Sequence, residues 1–210
     1  IGRPYDPRTG KGVVGRNYCH QIQSAVGVFF QDKELNPFMG AGSLGMVIDD
    51  FNGDNFDHRD LDFLGGGYIA LNSTNGRPIL NRPVPPGTPR WGSEWKQATA
   101  QWYRRAASMN CQGSNYASRG NYLDLDPTYK DPYGQPLLRI TFDWKENELK
   151  LQRFLRERVL EITRALNPDS FTESFLKMDS HWDTRAYIST HNVGGAVAGE
   201  TPVDSAINRY

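Results

Sequence analysis

Between Glu146 and Leu166 the apolar residues Leu151, Leu155, Val159, Ile162 and Leu166 recur at the spacing of a single helical stripe, and Asn167-Pro168 closes the pattern. The period predicts a long amphipathic helix over that span. A second helix is predicted from Glu94 to about Met109, with Ser93 as its N-cap and Ala98, Trp102 and Ala106 on one face. Runs rich in β-branched and aromatic residues predict strands over Ser24–Phe30, Gly45–Asp49 and Gly67–Asn72. Two more are expected over Asn121–Pro127 and Pro136–Trp144, joined by the turn TYKDPYG. In the second of these Leu138, Ile140 and Phe142 alternate with Arg139 and Thr141, which predicts one buried face. Asn75-Gly76 signals a turn, and RPVPPGTPR is irregular because its prolines lack amide donors and fix φ. Strands and helices do not alternate regularly. The expected class is therefore α+β, an antiparallel sheet with helices packed on one face.

Composition narrows the possibilities. The 210 residues carry 24 Lys+Arg and 24 Asp+Glu, so no basic excess points to nucleic acid. No apolar run is long enough for a transmembrane segment. Twenty-one glycines and 13 prolines indicate a loop-rich domain, and 25 aromatics argue against disorder. Cys19 and Cys111 have neither disulfide-framework nor metal-ligand spacing, so unpaired thiols are expected, with a single disulfide between them as the alternative in an oxidising compartment.

Several stretches imitate known chemistry. Gly40-x-Gly42-x-x-Gly45 has the form of a dinucleotide fingerprint but lacks a strand before it and a helix after it. Asp50-x-Asn52-x-Asp54 opens like a calcium loop, yet its glycine is Gly53 and Leu61 stands where a bidentate Glu belongs, which favours a solvated acidic loop. His20, His58 and His181 lack HxH or HExxH partners, so no metal is expected.

The stretch STHNVGGAVAGE near the C-terminus is different. It sets His191 and Asn192 before Gly194 and Gly195. Taken alone, it fits a turn that happens to hold a histidine. The order of RPYDPRTGKGVVGRNYCHQ, NPFMGAGSLGMVIDDFNGDNFDH, NYLDLDPTYKDPYGQPLLRITFDWKENE and STHNVGGAVAGETPVDSAINRY resembles the C-terminal half of the glucose-methanol-choline (GMC) flavin oxidoreductases. Within that family it is most similar to the bacterial sugar and sugar-acid dehydrogenases, the gluconate 2-dehydrogenases first and the FAD-dependent glucose and sorbitol dehydrogenases next. The likeness extends over nearly the whole chain.

The resemblance implies that 1–210 is a substrate-binding domain, with 1–23 leading in from an FAD domain that is itself absent and 189–210 returning to it. It implies that His191 is the catalytic base that takes the hydroxyl proton of a sugar or sugar acid, a role suited to imidazole at neutral pH. Asn192, Gly194 and Gly195 then lie close to substrate or flavin, the glycines because a Cβ would obstruct the ring. FAD belongs to the full-length protein, and the fragment is expected to bind none and to be inactive. A second catalytic Asn or His lies beyond Tyr210, and Ala198 replaces a methionine common in the family. Implied partners are a cytochrome c and small subunits, and the implied location is the periplasm or the periplasmic face of the inner membrane. The alternative is a free-standing carbohydrate-binding or interaction module, with Trp91, Trp95 and Trp102 as stacking platforms.

Overall fold

The computed structural model describes residues 2–35, 45–57, 59–72, 83–174 and 190–208. In chain order the strands and helices are β1 (Cys19–His20), β2 (Gln23–Phe29), β3 (Met46–Ile48), β4 (Gly67–Asn72), α1 (Gly92–Trp102), β5 (Ala106–Gly113), β6 (Tyr122–Lys130), β7 (Pro136–Thr141), α2 (Glu146–Leu166), β8 (Ser170–Ser174), β9 (Asn192–Val193), β10 (Ala198–Gly199) and β11 (Ile207–Asn208). They divide into two compact units.

One unit contains residues 22–114 and 146–178, as far as they are described. Its centre is a five-stranded antiparallel sheet in the order β3-β4-β5-β2-β8. Strand alternation sends Val26, Val28, Ile69, Met109 and Cys111 to one face, where they meet Leu151, Leu155 and Val159 of α2. All eight are at most 2% exposed, and full burial of such aliphatic side chains contributes about 1.5–3 kcal/mol each. The α+β expectation holds, and α2 has the span that its apolar period predicts. Its buried stripe also takes in Gln152 and Thr163, while Leu166 lies at the exposed end. Asn167 ends the helix in the left-handed region at φ 49.

The other predicted helix is shorter than its spacing suggests. It stops at Trp102, Trp91 rather than Ser93 is its N-cap, and the chain re-emerges as β5. The period-four triplet is real packing, since Ala98, Trp102 and Ala106 all gather against Phe29. Ala106 reaches that cluster from a strand. Pairing on both sides, with β2 and β4, outweighs local helical preference in 106–113.

The acidic stretch around Asp50 is a loop held by rings. Phe51, Phe56 and Phe63 surround Phe154 of α2 at centroid distances of 5.7, 5.6 and 5.4 Å. Asn147 accepts from the Leu64 amide at 2.7 Å, and Lys150 pairs with Asp62 at 2.8 Å. Gly40 and Gly42, with most of the fingerprint-like stretch, and the Asn75-Gly76 turn lie outside the described residues, as do His58 and His181.

The second unit contains 1–21, 115–145 and 179–210, again as far as described. The expected irregular lead-in is tied by backbone bridges, Pro4 to Val14 and Asp6 to Lys11. Residues 15–20 run between two other segments. On one side Leu123 N donates to Gly15 O at 2.7 Å and Tyr18 N to Asn121 O at 3.1 Å. On the other, β1 pairs antiparallel with β9. The hairpin β6–β7 continues outward from this ribbon, with Leu123 opposite Ile140 and Leu125 opposite Leu138. The predicted buried face of the second strand is corrected here, because Leu138 is 62% exposed. This hairpin forms a sheet of only two strands, and its covered side instead holds the Asp124–Arg139 ion pair.

Candidate active-site segment

The four residues singled out in the C-terminal stretch lie together on 190–195, alongside residues 15–21. His191 is exposed and has φ 63, a left-handed conformation uncommon for any residue but glycine. Its carbonyl accepts from the Gln21 amide at 3.2 Å. The chain then enters β9, where Asn192 pairs with His20 and Val193 with Cys19. It leaves through Gly194 at φ 77 and Gly195 at φ 74. Gly195 closes a reciprocal contact, its N–H donating to Arg16 O at 3.0 Å and its carbonyl accepting from Gly15 N at 2.7 Å.

The glycine pair has a cause inside the chain. A Cβ on Gly194 would stand 2.1 Å from the Asn17 carbonyl oxygen. On Gly195 the nearest neighbour would be Gly15 Cα at 3.6 Å. Both residues need glycine for their φ, and Gly194 needs it also for the close approach of Asn17. Asn17 is itself left-handed at φ 57.

Beneath β9 lies a group of side chains that the sequence pattern did not mark. Tyr18 is 4% exposed, and its hydroxyl donates to Asn192 Oδ1. The Tyr18 ring meets Phe142 edge-on at 5.6 Å, and Phe142 meets Trp144 at 5.4 Å. His20 is buried, its ring at 6.2 Å from Phe142 and 6.3 Å from Trp144, and Trp144 Nε1 donates to the His20 carbonyl at 3.2 Å. His20 is thus a core residue of this unit. The one available signal was GRNY, in which Gly15 and Asn17 are residues that tolerate left-handed backbone before a large aromatic.

The ion pairs described in this unit are Asp6–Arg8 in the lead-in, at 3.2 Å, and Asp124–Arg139 in the hairpin. Arg139 Nε donates to Asp124 Oδ1 at 2.9 Å, and a second guanidinium N–H bonds Oδ2. The hydrogen bonds to Asp124 hold the guanidinium still further above its ordinary range. Among the described residues no group of three or more His, Cys, Asp or Glu is placed to hold a metal ion. Cys19 and Cys111 are both buried and form no disulfide.

No protein-family model matches the chain. Over 211 aligned residues, covering all of it, the chain is 46% identical to the gluconate 2-dehydrogenase flavoprotein of Pantoea cypripedii, of which it covers 34%. The chain is related to a dehydrogenase flavoprotein. It is also 22% identical, again over its whole length, to the 2-methyl-1,2-propanediol dehydrogenase of Mycolicibacterium austroafricanum, of which it covers 36%. The chain therefore spans about a third of the length of these curated relatives. No helix among the described residues is long and apolar enough to cross a membrane.

Two of the three tryptophans considered as a sugar platform have opposite settings. Trp102 is buried against Phe29, with ring centroids 5.7 Å apart, whereas Trp91 is largely exposed. A flat stacking surface built from all three is not present.

Proposed function

We propose that the chain is part of a flavin-dependent GMC-type dehydrogenase that oxidises a hydroxyl of a sugar or sugar acid such as gluconate, with His191 as the base. The observation that carries the reading is the 46% identity over the whole chain to a gluconate 2-dehydrogenase flavoprotein. The presentation of His191, exposed at a left-handed turn, supports it. Unfavourable backbone conformations in non-glycine residues gather at functional sites, and this one is fixed on both sides, by the Gln21 amide and by β9.

The residues present fit a planar, hydrogen-bonding ring such as a flavin. His191 and Asn192 are exposed side by side at one end of β9, and the apolar side chain of Val193, 57% exposed, follows them. A bound flavin would supply the two-electron acceptor for the hydride that leaves the carbinol carbon. The imidazole of His191 takes the hydroxyl proton through a ring nitrogen, so the alcohol becomes a carbonyl and His191 becomes an imidazolium. Asn192 contributes an amide held by its oxygen, which leaves the NH2 end turned away from Tyr18. Gly194 and Gly195 bring the strand out of its pairing next to these side chains.

In this proposal the remaining two thirds of the protein supply the FAD-binding domain and a second catalytic residue. The electrons pass to a cytochrome c at the periplasmic face of the membrane, with small subunits as further partners. The test uses the full-length protein. D-gluconate should bleach its flavin, and His191→Ala should slow bleaching by about 10² to 10⁴-fold, the usual share of a general base. An unchanged rate removes His191 from the mechanism. Stoichiometric flavin on the isolated 210-residue chain overturns the proposal that the cofactor is held elsewhere.

A further inference from the structure

We infer that Tyr18 is a positioning residue for this site, acting through Asn192 to hold the segment that presents His191; the inference rests on the reading of His191 as the base. The two residues are 174 positions apart in sequence, and the Tyr18 hydroxyl meets Asn192 Oδ1. Their environments are opposite. Tyr18 is buried, with its ring against Phe142, whereas Asn192 is exposed. An exposed amide oxygen can bond to water, so Asn192 needs no tyrosine for satisfaction. What Tyr18 supplies is direction. It directs the side-chain oxygen of Asn192 from a ring that is packed against Phe142.

The neighbouring backbone transmits that order. Tyr18 immediately precedes β1, and Asn192 immediately follows His191. His191 is tied to the same ribbon through the Gln21 amide, and Gly195 is tied to Arg16. The segment from His191 to Gly195 is therefore fastened to 15–21 by backbone at both ends and by the Tyr18–Asn192 side-chain bond between them. The Tyr18–Asn192 bond is the part that can be removed without disturbing the ladder. Tyr18 is buried, so its role in the proposed site is exerted through Asn192.

The test is Tyr18→Phe in the full-length holoenzyme, which keeps the ring packed on Phe142 and deletes only the hydroxyl. With D-gluconate as probe, flavin reduction at saturation should fall about tenfold, within the range that small misplacement of reacting groups costs, while half-saturation stays within about twofold. Asn192→Ala should give a similar loss, and the double variant should be no slower than Asn192→Ala alone. A second readout needs no turnover. In the ¹⁵N-labelled 210-residue chain the Asn192 side-chain NH2 should relax as an ordered group and lose that order in Tyr18→Phe, with the Cys19 and Val193 backbone amides unchanged. Wild-type reduction by Tyr18→Phe, losses that multiply in the double variant, or an Asn192 amide equally ordered without the hydroxyl each overturn the assignment. His191→Ala separates the two ideas. If it reduces flavin normally, the base reading fails; if it is slow while Tyr18→Phe is fast, only the positioning role fails.

Discussion

Alanine at Gly194 and at Gly195 should have very different costs, although the two glycines are adjacent and nearly identical in φ. Both sit in the left-handed region, at 77° and 74°, where an L side chain costs about 1–2 kcal/mol. Part of that is offset because alanine also restricts the unfolded chain, by about 0.4–1 kcal/mol. Gly195→Ala should therefore cost about 1 kcal/mol, since its methyl meets nothing nearer than 3.6 Å. Gly194→Ala places its methyl 2.1 Å from the Asn17 carbonyl oxygen. Ordinary carbon–oxygen contacts lie near 3.3–3.6 Å, so that carbonyl must withdraw by about 1 Å. Asn17 is not free to withdraw, because its neighbours are bonded on both sides: Arg16 O accepts from Gly195 N, and Tyr18 N donates to Asn121 O. Losing one or two of these bonds adds about 1–3 kcal/mol each, for a total of about 3–5 kcal/mol. Amide hydrogen exchange at Tyr18, Leu123 and Gly195 reports the opening of this ribbon locally. Equal loss of protection in the two variants would refute the reasoning, because it would mean that φ alone demands the glycines and the approach of Asn17 does not.

Two further outcomes concern the sheet-and-helix unit. Phe154→Ala removes the ring around which Phe51, Phe56 and Phe63 pack, and should destabilise that unit by about 2–4 kcal/mol. Trypsin should then cut several-fold faster after Arg59, which lies exposed in the released loop; an unchanged cleavage rate would show that the Lys150–Asp62 and Asn147–Leu64 ties suffice. Burial pushes the Cys111 thiol up, so the folded state keeps its proton at pH values where the unfolded chain releases it. Stability from this group is fully present below the unfolded thiol value and declines as pH rises through the folded one. The decline is at most about 1.4 kcal/mol per pH unit, and urea titrations at rising alkaline pH should show a shallower loss in Cys111→Ala. Equal slopes would remove Cys111 as the source.

What the sequence disclosed tracks how local its causes are. Helix α2 was legible to the residue because its stripe and its Asn167-Pro168 stop are both contained in the segment. The sheet strands Gly67–Asn72 and Gln23–Phe29 were legible from β-branched and aromatic runs. The stretch 106–109 was misassigned because its state is decided by strands β2 and β4, far away in sequence, which local helical preference cannot anticipate. Leu138 was misplaced for a related reason. Alternation says which residues share a face, but not whether anything covers that face.

The candidate site divides along the same line. His191 and Asn192 were singled out because they stand beside a glycine pair, and a likeness to a flavoprotein family gave that neighbourhood a chemistry. Tyr18 was missed because its relation to the site exists only once 15–21 and 190–195 pair, and nothing in GRNYCHQ names its partner. The glycines were assigned to a flavin, yet φ and the Asn17 carbonyl are sufficient cause for both, with no ligand required. Their presence therefore does not count as independent support for a cofactor. The flavin proposal stands on the identity to the relative and on the presentation of His191. The alanine variants at 194 and 195 probe the fold of this ribbon, while His191→Ala probes the base in the reaction.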